Sequence, residues 1–183
     1  VGVWAARAGV NTPRVVGYTR VGSYWLLAQE SLTGKPLDHI STISDKTLQA
    51  AWHQVKLLHD ASIAHRDLRA ANMLIDEAGK PWVIDYGFAE VASSRTHRLM
   101  DIAEFLMSTA LVTTPERTIK AARQVLGKDS VLAAAPYVQM AVFSGATTTL
   151  ARNNKHVYKA LRELLANMAG ENGEIEEVKV QRV

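Results

Sequence analysis

Apolar residues recur every three or four positions across residues 44–61, where Leu48, Ala51, Trp52, Val55 and Leu58 share one face, and this spacing predicts an amphipathic helix. Ser44 suits its N-cap, because its hydroxyl can accept from a free first-turn amide. The helical period returns over residues 98–112, 115–126, 130–149 (with a break near Pro136) and 155–168. Alternating segments predict strands at 14–19 and 24–29 with Gly22 in the turn, and a second hairpin at 73–76 and 82–85. A helix end is expected over 3–8, closed by Gly9 and Asn11, while Gly34 and Pro36 mark 32–36 as loop. Residues 63–72 have no clean period, and the charged, alternating stretch 170–183 reads as a linker or a strand.

Residues 130–151 carry no charged side chain over a length that would cross a bilayer. Pro136, Gln139, Ser144, Gly145 and three successive threonines make the stretch weak for a lipid-facing span, so buried globular helices are expected there.

With 183 residues, 48% of them hydrophobic, the chain can build the core of one ordinary domain. Its 21 Lys and Arg against 18 Asp and Glu are scattered, which gives no support to nucleic-acid binding. The absence of cysteine excludes disulfides and thiolate metal sites, and no charged-then-apolar leader opens the sequence, so a cytoplasmic setting is expected. Val1 in place of Met, directly followed by a helix-like segment, reads as a piece of a longer protein.

The chemistry lies in residues 65–87. His65-Arg66-Asp67-Leu68-Arg69-Ala70-Ala71-Asn72 is followed, thirteen positions after Asn72, by Asp85-Tyr86-Gly87. HRDLRAAN resembles the catalytic loop of protein kinases, H-R-D-x-x-x-x-N, and DYG resembles their D-F-G magnesium motif. The resemblance implies an α+β, protein-kinase-like fold: a short remnant of the N-lobe sheet over 1–30, a mostly helical C-lobe over 31–169, and a tail over 170–183.

The resemblance also implies ATP and magnesium as cofactors, since phosphoryl transfer needs cations on the phosphates and a group that orients the attacking hydroxyl. Asp85 and Asn72 would hold magnesium, Asp67 would take or orient the hydroxyl proton, and Arg69 would contact the transferred group. Gln29, Glu30 and Ser31 would offer hinge backbone groups to adenine. His65 would pack beneath the magnesium motif, and Asp101 would hydrogen-bond the catalytic-loop backbone. Arg66 would pair with a phosphorylated residue, for which Ser93, Ser94 and Thr96 are candidates by position, or serve in an ordinary ion pair. Without the resemblance, Asp67, Asn72 and Asp85 also read as turn formers, and Asp101 as a solvent-facing residue near a helix start.

The sequence departs from protein kinases in two respects. About fifteen residues separate Asp85 from Asp101 with no A-P-E-like run, so the long segment that docks peptides is missing and a small-molecule, lipid or envelope hydroxyl is the expected acceptor. In this the chain is more similar to aminoglycoside phosphotransferases and other bacterial kinase-like proteins. No glycine-rich loop, strand lysine or partner glutamate precedes the hinge, so this chain alone is expected to bind nucleotide weakly and turn over little. Residues 57–91 are also similar to the kinase-like domain of bacterial membrane proteins with a lysylphosphatidylglycerol-synthase-like transmembrane region. That likeness implies a covalently attached membrane domain, placement on the cytosolic face, and, as the alternative to catalysis, a pseudokinase or nucleotide-sensing role.

Overall fold

In the computed structural model, which describes residues 1–170 and residue 175, the chain opens with helix α1 (Gly2–Arg7) and leaves it at Gly9, whose φ of +86° suits a residue without Cβ. Strands β1 (Val15–Val21) and β2 (Tyr24–Gln29) form an antiparallel ribbon around Gly22 and Ser23, with a bulge between Val15 and Gly17. The ribbon is a two-stranded sheet of its own, and its side chains are mostly exposed.

Residues 34–36, expected as loop, are instead strand β3 (Gly34–Pro36), which pairs with β4 (Met73–Asp76); β5 (Pro81–Val83) completes an antiparallel sheet of order β3-β4-β5. The Gly and Pro that suggested a loop are what this edge strand uses. A Cβ on Gly34 would lie 2.4 Å from Leu74 Cδ2 and 2.5 Å from the Ile75 carbonyl oxygen, so only glycine lets the backbones approach this closely. Pro36 lies on an edge strand, where a missing N–H is tolerated. Asp76 shapes the β4–β5 turn by accepting from the amides of Ala78 and Lys80 and from Trp82 Nε1, and these bonds hold its carboxyl below the usual carboxylate range.

The rest is helical. Helix α2 (Asp45–Asp60) starts at Ser44, whose Oγ accepts from the Thr47 amide, and it buries Leu48, Ala51, Trp52, Val55 and Leu58. Helix α3 (Arg95–Val112) begins three residues before the expected position because Ser94 caps it, and residues 101–110 are all buried. Trp52 meets Phe105 edge to face, with ring centroids 4.8 Å apart, which joins α2 to α3 at the centre of the core. Helix α4 (Pro115–Leu126), with Pro115 in its first turn behind the Thr114 cap, packs on both.

Helices α5 (Lys128–Ala134), α6 (Gly145–Asn153) and α7 (Lys155–Ala169) complete the body. The uncharged stretch 130–151 is divided by a 3-10 turn at Ala135–Tyr137, and among the described residues no helix is long and apolar enough to cross a membrane. The expected linker or strand over 170–183 lies, apart from Gly170 and Ile175, outside the described residues.

Candidate functional site

Ser62, Arg66, Asp85 and Ala92 are the non-glycine residues with positive φ among the described residues, at +56°, +67°, +62° and +52°, and all fall within residues 62–92. A left-handed conformation costs an L-residue roughly 1–2 kcal/mol, so this segment concentrates strain that its surroundings must hold in place. Helix α3 does much of the holding. The buried carboxylate of Asp101, 2% exposed, accepts from the His65 amide at 2.6 Å and the Arg66 amide at 2.8 Å. Ser108, two turns along, accepts from the Ala70 amide at 3.1 Å.

The peptide of Ile84 joins the two motifs. Its N–H donates to the Asn72 carbonyl at 3.0 Å, and its carbonyl lies 3.0 Å from His65 Nε2, which assigns the His65 proton to Nε2. His65 is fully buried, with its ring centroid 5.1 Å from that of Tyr86, whose phenol is pushed up by burial. Asp85, the next residue after Ile84, is therefore fixed beside the 65–72 loop while the residue itself stays exposed, with Oδ1 accepting from the Gly87 amide at 3.2 Å.

Within the loop, Arg69 grips Asp67 through Nε to Oδ1 at 2.8 Å and Nη2 to Oδ2 at 3.0 Å. This hydrogen bonding to Asp67 raises the Arg69 pKa further against the opposing effect of burial. Asn72 Nδ2 donates to the Asp67 carbonyl at 2.8 Å and to Asp67 Oδ2 at 2.9 Å. With Nδ2 engaged inward, Asn72 Oδ1 takes no hydrogen bond among the described residues. The structure thus gathers Asp67, Arg69 and Asn72 directly, joins Asp85 to them through Ile84, and anchors the loop on Asp101 and His65.

Gln29, Glu30 and Ser31 are not part of this hydrogen-bonded set. All are exposed at the end of the β1–β2 ribbon, Gln29 pairs with Val15, and the Glu30 amide already donates to the Arg14 carbonyl at 2.9 Å. Of the backbone donors expected to meet adenine, that one is occupied.

Sequence reading passed over three residues near the site. Ser108 and Glu104 follow Asp101 at seven and three positions, so a polar stripe on one face of α3 was available as a signal. Glu104 is buried and accepts from the Ser144 amide and hydroxyl, both at 2.9 Å, tying α3 to the start of α6. Burial pushes its carboxyl up, and the bonds from Thr147 and Ser144 only partly oppose this. The third, Glu90, approaches Arg66, and no local pattern in the sequence marks it.

Among the described residues no three His, Cys, Asp or Glu side chains cluster to hold a metal. The hard oxygen donors at the site are the Asp85 carboxylate and Asn72 Oδ1, which is the small donor set that magnesium takes when phosphate supplies the remaining oxygens.

Comparison with known proteins finds kinases among the relatives of this chain. Over 88 residues the chain is 33% identical to a 3-deoxy-D-manno-octulosonic acid kinase of Vibrio cholerae, covering 43% of this chain and 37% of that protein. Over 98 residues it is 35% identical to a probable bifunctional tRNA threonylcarbamoyladenosine biosynthesis protein of Methanospirillum hungatei, covering 54% of this chain and 18% of that protein. A leucine-rich repeat receptor-like protein kinase of Arabidopsis thaliana is 30% identical over 125 residues, 60% of this chain and 13% of its own length. The chain therefore spans well under half the length of these curated relatives. Residues 11–176 match the protein kinase domain, so the chain belongs to the protein kinase domain family.

Proposed function

We propose that this chain is the greater part of an ATP- and magnesium-dependent phosphotransferase domain whose acceptor is a small-molecule, lipid or envelope hydroxyl. The observation that carries the reading is the Ile84 peptide, bonded on one side to Asn72 and on the other to His65, which sets the Asp67–Asn72 loop and Asp85 in one frame. Asp85 and Asn72 would hold magnesium, which when bound neutralises phosphate charge. Asp67 would orient the acceptor hydroxyl and take its proton, and Arg69, already beside it, would add positive charge where the phosphoryl group passes.

Two features favour a non-peptide acceptor. The relative from Vibrio cholerae is by name a sugar-acid kinase. The segment between Asp85 and α3 is short and is bonded back to Ala64 and Ser62, just before the catalytic loop, which leaves no extended platform for a peptide. In this reading the domain works in the cytoplasm, at the cytosolic face of the membrane if a membrane domain is attached.

A second reading, a pseudokinase or nucleotide-sensing module, is favoured by one observation. Both oxygens of Asp67 are engaged by Arg69 and Asn72, a state in which the carboxylate is a scaffold rather than a base.

Titration calorimetry with ATP, with and without magnesium, on the full-length protein separates the two. Asp85→Ala should weaken magnesium-dependent binding at least about tenfold, the equivalent of ~1.4 kcal/mol for one lost charged ligand. Asp67→Ala should spare binding and abolish turnover. A wild-type protein that binds ATP without turning it over supports the sensing module, and one that neither binds nor turns it over sinks the phosphotransferase reading and leaves a pseudokinase scaffold.

A further inference from the structure

Arg66 is not waiting for a partner. Its Nη1 lies 3.3 Å from Glu90 Oε1 and 3.0 and 3.2 Å from the two ring nitrogens of His97, while His97 Nδ1 meets the same Glu90 oxygen. Near-equal distances to both ring nitrogens place the guanidinium nitrogen against the imidazole rather than at one lone pair. The three side chains come from three places: the catalytic loop, the segment after Asp85, and the first turn of α3.

The backbone reinforces this meeting. Ala64 and Glu90 exchange both of their amide-to-carbonyl bonds, at 3.1 and 2.9 Å. Ser93 donates its amide and its hydroxyl to the Ser62 carbonyl at 2.9 and 3.0 Å, and Arg98 Nη1 donates to the Ser93 carbonyl and hydroxyl oxygens. The Ser94 hydroxyl accepts from the His97 amide as the cap of α3. Two of the three hydroxyls placed for phosphorylation, those of Ser93 and Ser94, are therefore already committed to holding the segment.

We propose that the Glu90 carboxylate is a permanent anionic clasp for Arg66, holding residues 86–94 against the catalytic loop so that the site is assembled without phosphorylation of its own segment. The clasp as a structural element stands alone, and its consequence for turnover rests on the phosphotransferase reading. Glu90 acts here as a positioning residue. Its backbone is fixed at Ala64 and its side chain at Arg66, so it orders both sides of the strained Arg66, whose φ is +67°. Ionic partners this exposed, 35% and 37%, contribute little one at a time, so the expected effect is local opening of the segment and not loss of the fold.

Amide exchange of the unphosphorylated chain, followed by mass spectrometry, tests the clasp. Glu90→Gln keeps the shape and removes the charge; it should speed exchange across residues 86–94 about fivefold and leave the amides of α2 to α4 unchanged. Arg66→Gln should do the same, the double variant should add nothing further, and the charge-reversed pair Glu90→Arg with Arg66→Glu should recover most of the protection. Unchanged exchange in both single variants, or single effects that simply add, overturns the proposal. In full-length protein, phosphatase treatment should leave wild-type turnover unchanged, and a fall would equally overturn it. If the wild type shows no turnover at all, the phosphotransferase reading fails while the exchange data still decide whether the clasp exists.

Discussion

At the scale of single residues, the candidate site depends on an acceptor count. Asp101 offers two carboxylate oxygens to two amides, that of buried His65 and the part-buried one of Arg66, while Oδ2 also lies 3.4 Å from His59 Nε2. Asp101→Asn keeps the volume but exchanges one acceptor for an NH₂ group, so one of the two amides must face a donor. An unsatisfied buried donor costs about 1–3 kcal/mol, and the cost falls on a loop that already carries the strain of Arg66. Denaturant unfolding should therefore place Asp101→Asn about 2 kcal/mol below wild type. A midpoint within about 0.5 kcal/mol of wild type would mean that a rearranged loop satisfies both amides without Asp101. Asp67, Asn72 and Asp85 stood out in the sequence through the resemblance of HRDLRAAN and DYG to kinase motifs, and the structure sets Asn72 on Asp67 and joins Asp85 to the loop through Ile84. The Arg66–Glu90 approach was not readable, since it depends on how residues 86–94 return across the loop, and nothing local to either residue encodes that path.

At the scale of elements, the helices and the β4–β5 hairpin were legible and strand β3 was not, for a physical reason. Helix α4 was placed over the observed Pro115–Leu126 because Pro115 and the Gly127 that follows Leu126 act locally, as does the period of its apolar face. Strand β3 was read as loop because Gly34 and Pro36 are turn residues by propensity, whereas their place here is set by β4, which lies about forty residues further along the chain. The pairing explains the glycine and supplies a test. Gly34→Ala would drive a methyl group into Leu74 Cδ2 and the Ile75 carbonyl, and the latter belongs to a strand paired on both sides and has little room to yield. Overpacking of this kind costs about 1–3 kcal/mol. Thermal unfolding of Gly34→Ala should show a loss in that range, whereas Gly17→Ala, whose added Cβ meets nothing within 4 Å, should unfold close to wild type. Equal losses in the two variants would mean that the close approach to β4 is not what requires glycine at position 34.

Across the whole molecule, cohesion is uneven. Helices α2, α3 and α4 interlock around Trp52 and Phe105, and the β4–β5 hairpin is tied to them through Asn11, whose amide donates to Gln54 Oε1 and whose carbonyl accepts from the Val83 amide. Among the described residues the β1–β2 ribbon has no comparable anchor. There it is a two-stranded sheet of its own, and it leaves Tyr18, Tyr24 and Trp25 exposed at 76%, 75% and 67%. A lone two-stranded ribbon is marginal in water, so its opening should cost far less than opening the helical body. When opening is fast relative to cleavage, proteolysis reports the population of the open form. Limited trypsin digestion of this chain should therefore cut first, among the described residues, after Arg14 or Arg20, long before Lys56 in α2 or Arg98 in α3. Simultaneous cutting in α2 or α3 would show instead that ribbon and body open as one unit. In that case the exposed aromatic faces of β1 and β2 would be coupled to the core, and a change at the ribbon would reach the Asp67–Asn72 loop through the fold itself.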